Sequence, residues 1–160
     1  MMQTSETAVV TFEPRHAAAF RDLNIAWVEQ HFAIEAKDRV TLDDPQRCVI
    51  DRGGVILIAE DDDRTALGCV ALIPYADGVL ELAKMAVADN FKGRGIGRRL
   101  MEAAIAQARS MGARALYLES NSSLVPAVTL YERSGFRHLT PTERPYSPYA
   151  RCDVYMRLDL

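Results

Sequence analysis

The run from Glu81 to Gly112 constrains this chain more than any other. Glu81-Leu82-Ala83-Lys84-Met85-Ala86-Val87 is mostly apolar, holds no glycine or proline, and reads as a buried strand. Asp89-Asn90 ends it. Gly93, Gly95 and Gly97 then open directly into an Ala/Leu/Met-rich helical pattern, which Gly112 closes in the place expected of a C-cap. A strand, a glycine loop and a helix N-terminus together make an anion site. Glycines let the backbone approach a ligand, and the first-turn amides of the helix have no partner within it. The helix dipole adds partial positive charge, and Lys92, Arg94, Arg98 and Arg99 add whole charges. The ligand such a site takes is a phosphate or pyrophosphate.

The spacing narrows the choice of phosphate. A P-loop needs Gly-Lys-Ser/Thr, and here Gly97 is followed by Arg98-Arg99 with no hydroxyl. A dinucleotide site has Gly-x-Gly-x-x-Gly after the first strand and an acid about 20 residues on. These glycines are spaced Gly93-x-Gly95-x-Gly97 and lie past the midpoint, although Glu119 sits at about the right distance, so that reading is weakened but stays open. The overall net charge of −3 argues against nucleic acid as a main partner and makes the basic cluster at 92–99 stand out. A chain of 160 residues suits one domain, expected over 1–160. No apolar run reaches the length of a membrane span, and Met1–Thr7 lacks the apolar core of a signal peptide. Cys48, Cys69 and Cys152 are scattered without metal spacing and read as reduced thiols of a cytoplasmic protein. Asp61-Asp62-Asp63 reads as a solvated hairpin turn, because consecutive acids lack an EF-hand spacing, and no metal is expected.

Along the chain, Ala8–Phe12 is expected to be a strand, and Pro14 to Glu29 a helix. A junction through residues 31–38 follows, then a short helix opened by Asp43-Asp44-Pro45 and ending near Asp51. Strands are expected at 55–60 and 66–74, ahead of the central strand at 79–88. A helix covers about 95–111, a strand 113–120, and Asn121-Ser122-Ser123 offers a turn and an N-cap for a helix over 125–134. A strand at 136–139 leads to a long loop, 140–152, which holds Pro141, Pro145, Pro148, Tyr146 and Tyr149. A last strand covers 153–158. Period two places Glu81 on one face with Ala83, Met85 and Val87. A carboxylate in an apolar strand tends to a raised pKa and suits a general base; the alternative is a solvent-facing acid or an ion-pair partner for Lys84.

Lys92-Gly93-Arg94-Gly95-Ile96-Gly97 resembles the Arg/Gln-x-x-Gly-x-Gly/Ala acyl-CoA pyrophosphate loop of the GCN5-related N-acetyltransferase (GNAT) superfamily, with Lys92 in place of the commoner Arg or Gln. Met85-Ala86-Val87 is similar to the end of that family's central strand, and Leu130-Tyr131-Glu132-Arg133-Ser134-Gly135-Phe136 to its Leu-Tyr-x-x-x-Gly-Phe signature. The pieces come in the family's order and cover roughly residues 55–140.

The resemblance implies a single α/β (α+β) domain with a mixed, mostly antiparallel twisted sheet of six to seven strands, flanked by about four helices. A splay between strands 79–88 and 113–120 would hold acetyl-CoA, with Met85, Ala86 and Val87 along its pantetheine arm and Lys92, Gly93, Arg94, Gly95, Ile96, Gly97 and Arg98 at its pyrophosphate. It implies further that Asn121 touches the pantetheine, that the Met85 amide stabilises the oxyanion, and that Tyr131 protonates the departing thiolate, with Glu81 as base. Trp27, Phe32, Glu35 and Asp38 fall where the family lines its acceptor side, and Arg144 or Arg151 could hold a substrate carboxylate. The expected reaction is direct acetyl transfer to a primary amine of a small molecule, amino acid or peptide. The alternative is an acetyl-CoA-binding sensor or interaction module without catalysis. Homodimers are common in the family.

Overall fold

A computed structural model describes residues 6–145, 147 and 149–160, so the first five residues, Tyr146 and Pro148 lie outside it. Seven strands form one sheet in the order β1-β2-β3-β4-β5-β7-β6. They are β1 (Ala8–Thr11), β2 (Val55–Glu60), β3 (Ala66–Ala76), β4 (Val79–Val87), β5 (Ala115–Ser120), β6 (Arg137–His138) and β7 (Val154–Asp159). Only β4 and β5 run parallel; every other neighbouring pair is antiparallel. Four α-helices join them: α1 (Ala17–His31), α2 (Ala36–Asp43), α3 (Ile96–Ser110) and α4 (Val125–Arg133).

Each face of the sheet carries its own core. On one side α3 lays Ile96, Leu100, Met101, Ala104 and Ala108, a three- and four-residue rhythm, against Val70, Leu72, Leu82 and Leu116. The fit is close at Gly68, where an added Cβ would come within 3.0 Å of the Ala86 carbonyl and of Leu100. On the other side Phe20 of α1 packs with Leu42, Val49, Ile56, Ile58, Cys69 and Ala71. The start of α1 is tied to the sheet by Glu60, which accepts from Arg15 and from His16 Nε2, each at 2.7 Å. His16 Nδ1 accepts the Glu13 amide at 2.9 Å, so the ring proton sits on Nε2.

Three expectations need correction. The junction before residue 44 contains a helix, α2, and the expected helix toward Asp51 is a π-helical turn over Gln46–Ile50, with Asp44 accepting the Arg47 amide as a cap does. Helix α2 has few apolar residues to betray its period; Asp38 starts it by accepting the Glu35 amide at 2.9 Å. The Asn121-Ser122-Ser123 turn forms, but the N-cap of α4 is Leu124, and Asn121 Oδ1 is spent on the Ser123 amide and hydroxyl. The third correction lies in β4. Ala83 pairs with Ala71 but Ala86 pairs with Cys69, so three residues of β4 span two of β3. Lys84 absorbs the extra residue with φ at +55°. Past this bulge the alternation reverses: Met85 and Val87 join Leu80 and Leu82 on the α3 face, while Glu81 shares its face with Ala83 and Ala86.

Candidate active site

Strands β4 and β5 pair only at Val79↔Ala115, Leu80↔Leu116 and Glu81↔Tyr117. Beyond those rungs β4 stays with β3 up to Val87, and β5 stays with β7 up to Ser120. The edges between them part and open a cleft of about 480 Å³ through the sheet. The Ala88 amide donates to Leu67 of the β3 side at 2.8 Å. Alternate amides of a strand point to opposite edges, so the Val87 and Met85 amides face the open gap.

The glycine loop sits at the far end of β4. Gly93 and Gly95 have φ of +80° and +76°, a conformation other residues adopt at a cost, and an added Cβ would meet nothing there, so backbone shape rather than space calls for glycine. Arg99 is the first amide to bond back into α3, to Gly95 at 3.1 Å, which leaves the Ile96, Gly97 and Arg98 amides open. The first turn holds no acid and no side chain caps it. A Cβ added at Gly97 would meet Leu130 and Met85 at ordinary van der Waals distance. Lys92 lies 2.7 Å from Asp89, Arg98 lies 3.0 Å from Glu102, and Arg94 stacks on Phe91. These are exposed pairs of small worth that a polyphosphate can displace. The residues fit a pyrophosphate-bearing donor such as acetyl-CoA.

Glu81 stands at the fork, where the two strands separate. Burial, and then the charge of Glu119, push its carboxyl up to about 7, against the pull of Lys84 and Lys37. Glu119 lies two residues beyond Glu81's partner Tyr117, on the diverging strand, and accepts from the Tyr117 hydroxyl at 3.0 Å and from the Ser147 hydroxyl. In the sequence Glu119 stood out only as the acid a dinucleotide site would need; its further signal was Tyr117-x-Glu119, a carboxylate on the strand that lines the cleft. Tyr75 lines the cleft and stacks on Tyr117, 4.7 Å between ring centres, and the two rings together line a neighbouring pocket. Tyr131 lines the cleft, edge-on to Phe136; its hydroxyl bonds no described residue, and burial pushes its pKa up to about 12, so it stays protonated.

The acceptor side differs from expectation. Trp27, Phe32, Asp38 and Arg151 do line the cleft. Asp38, however, is wholly buried and receives Arg151 bidentately at 2.7 and 2.8 Å and Lys84 at 3.0 Å. Burial works to raise its carboxyl, but Arg151 and Lys84 together hold it well below the usual range. Glu35 also bonds Arg151, at 3.1 Å. The Arg151 guanidinium stacks on Tyr149, and Lys84 bonds the Tyr149 hydroxyl. These acids and bases satisfy each other, so Asp38 is not free for an amine nor Arg151 for a carboxylate. Arg144 is elsewhere: its guanidinium lies over Tyr155 and its Nε donates to the Leu139 carbonyl. Asn121 lines the cleft, but its amide donates to the Arg151 carbonyl at 2.6 Å, which positions the strap carrying Arg151.

Asp61 accepts the Asp63 and Thr65 amides, which makes the acidic run a turn. No described helix is long and apolar enough to cross a membrane.

A sheet forked between its one parallel pair, with a glycine loop at one strand end and an acid at the fork, defines an acyl-CoA transferase type of architecture. Residues 17–136 match the acetyltransferase (GNAT) family, and the chain belongs to that family. It is 34% identical over 110 residues to an uncharacterized N-acetyltransferase of Schizosaccharomyces pombe, covering 67% of this chain and 64% of that protein. It is 34% identical over 90 residues to the [ribosomal protein bS18]-alanine N-acetyltransferase of Salmonella typhimurium, covering 56% and 59%. The chain thus spans less than two thirds of the length of these relatives. A GNAT acetyltransferase of Staphylococcus aureus superposes with a TM-score of 0.87 over 96% of this chain and 99% of that one, at 16% identity, which shows the shared fold.

Proposed function

We propose that this protein is an acetyl-CoA-dependent N-acetyltransferase acting by direct attack of a primary amine, borne by a small molecule, amino acid or peptide. The observation that carries the reading is Glu81, an acid poised near neutrality at the fork of β4 and β5. A group with a pKa near the working pH combines a useful fraction of base with a useful driving force. Acetyl-CoA supplies the activated acyl carbon as a thioester. The Gly93–Arg98 backbone and the basic side chains around it take its pyrophosphate, and the open edge of β4 at Met85, Ala86 and Val87 lies along its pantetheine. Glu81 accepts a proton from the acceptor ammonium, directly or through water. The nitrogen then bonds to the acyl carbon and the carbon–sulfur bond breaks. The Met85 amide donates to the oxygen that gains charge, a preorganised dipole. Tyr131, protonated across the neutral range, gives its proton to the departing sulfur and is re-protonated, through solvent, by the second proton that the nitrogen sheds as the amide forms. Holding the two reactants together supplies a further large part of the rate.

Melting curves with acetyl-CoA, coenzyme A, ATP and NAD, followed by thiol release with an amine panel, test this. Saturation about a hundredfold above Kd adds roughly 2.7 kcal/mol of stability, several degrees for a domain of this size. A shift with both CoA species and none with ATP or NAD, together with amine-dependent thiol release, is expected. The CoA shift without release from any amine would favour a binding module instead.

A further inference from the structure

Four cationic side chains among the described residues line the cleft: Lys37, Arg52, Lys84 and Arg151. They fall into two kinds. Lys84 and Arg151 are 10% and 16% exposed and are neutralised by Asp38, with Glu35 on Arg151 as well. Lys37 on α2 and Arg52 after the π-helical turn are exposed at the rim, and no described carboxylate lies within ion-pair distance of either. On the floor the balance is opposite. Glu81 and Glu119 are held there by the strand register, and neither has a cationic partner within that distance among the described residues. The cleft therefore carries unspent positive charge at its α2 rim and unspent negative charge at its fork.

We propose that Lys37 and Arg52 form a subsite for an anionic group on the acceptor. The amine delivered to Glu81 then belongs to a free amino acid or another small amine with a carboxylate or phosphonate tail. The inference rests on the acetyl-transfer reading and deepens it. A zwitterion laid with its ammonium at the fork and its anion at the rim pairs both unspent charges, whereas an uncharged or polycationic amine pairs one end and leaves Lys37 and Arg52 facing nothing or a like charge. Lys37, Arg52 and Glu81 all line one cleft of about 480 Å³, a space on the scale of a small zwitterion. Guanidinium and ammonium groups are the donors that charge-assisted recognition of carboxylate and phosphonate oxygens uses.

The test compares thiol release with each common L-amino acid against its carboxamide, and with 2-aminoethylphosphonate against ethylamine, at equal concentrations of free amine. In the wild type the anionic member of the best pair should show at least about tenfold higher kcat/KM. The doubly substituted Lys37→Gln, Arg52→Gln variant should lose that preference about tenfold, through KM for the anionic acceptor. Its KM for acetyl-CoA should hold, and its kcat with the carboxamide, read on the high-pH plateau where Glu81 is ionised with or without the Lys37 charge, should fall far less than its kcat/KM for the anionic acceptor. Both side chains are exposed, so folding is not at stake, and an unaltered melting temperature would show it. Equal or better turnover of the carboxamides and ethylamine would overturn this subsite while acetyl transfer stands. A preference that survives the double substitution would overturn the assignment to these residues. Release from no member of the panel would overturn both readings.

Discussion

Residues 79–112 build the proposed donor end of the cleft from one unbroken stretch, whereas the proposed acceptor end draws on residues 27–52, Lys84 of the β4 bulge and the strap around Tyr149 and Arg151. The donor end works mainly through backbone: open strand amides, two left-handed glycines and the mouth of α3. The acceptor end works through side-chain charge, and half of that charge is spent holding the strap to α2. Backbone groups are the same in every sequence, so a backbone-built site suits a donor shared across a family. A site assembled from distant side chains can be re-set by a few substitutions, which suits an acceptor that differs from protein to protein.

The sharpest way to break this division is at the fork where the two ends meet. Glu81→Gln is expected to lower kcat by about 10²–10⁴-fold while leaving the acetyl-CoA-induced melting shift in place. The wild-type rate should climb as pH rises through about 7, since the base must be ionised, and the variant should lose that limb. Wild-type kinetics unchanged by the substitution would place the base elsewhere, with Glu119 the next group to test. The same shift has a stability sign. A carboxyl raised from 4.5 to about 7 stabilises the fold fully below 4.5, and that contribution is lost as pH rises through 7, so the Gln variant should melt higher than wild type at pH 8.

The acceptor end breaks next. Asp38→Ala leaves Arg151 and Lys84 without their counter-charge and is expected to cost about 3–5 kcal/mol in denaturant unfolding, with residual activity tracking the folded fraction. Because the Asp38 carboxyl is depressed, its contribution is present above about its ordinary 3.8 and fades as pH falls through its lowered value, so the gap to wild type should be full at pH 7 and narrow below 3.8. An unfolding midpoint unmoved at pH 7 would remove the clasp from the account of this end.

The smallest expected effect on stability is at the donor end. Gly95→Val forces a β-branched residue to φ +76° and should cost about 1–2 kcal/mol. It should also raise KM for acetyl-CoA while leaving the acceptor KM alone, since nothing at the acceptor end touches Gly95. A matching rise in the acceptor KM would show that the two ends are not independent.

Much of the strand–loop–helix unit was legible in the chain. The order of strand, glycines and helix could be read at 81–112, and the limits of β2 and α3 were met within a residue. The acceptor end was legible only as a set of residue types. Trp27, Phe32, Asp38 and Arg151 do meet in the cleft, yet the expected division of labour failed, because Asp38 and Arg151, 113 positions apart, are each other's partners. Arg144 and Arg151 looked equivalent in the loop and are not: one stacks on Tyr155 and the other clasps α2. Lys37 and Arg52 drew no notice, since an exposed cation gains meaning only when a neighbour does or does not cancel it.

What the sequence determined by itself is local: hydrophobic period, turn chemistry and glycine placement act over a few residues and are enough to specify the strand–loop–helix unit, while the fold around it was implied only by the family resemblance that this unit and Leu130–Phe136 carry. What only the tertiary structure decided is pairing. The bulge at Lys84 turned Met85 and Val87 away from Glu81's face, and the register set Glu119 on the strand diverging from the fork. Which charges cancel and which remain depends on distances between residues far apart in the chain, and a Coulomb interaction is fixed by that separation and by burial, neither of which the order of residues contains.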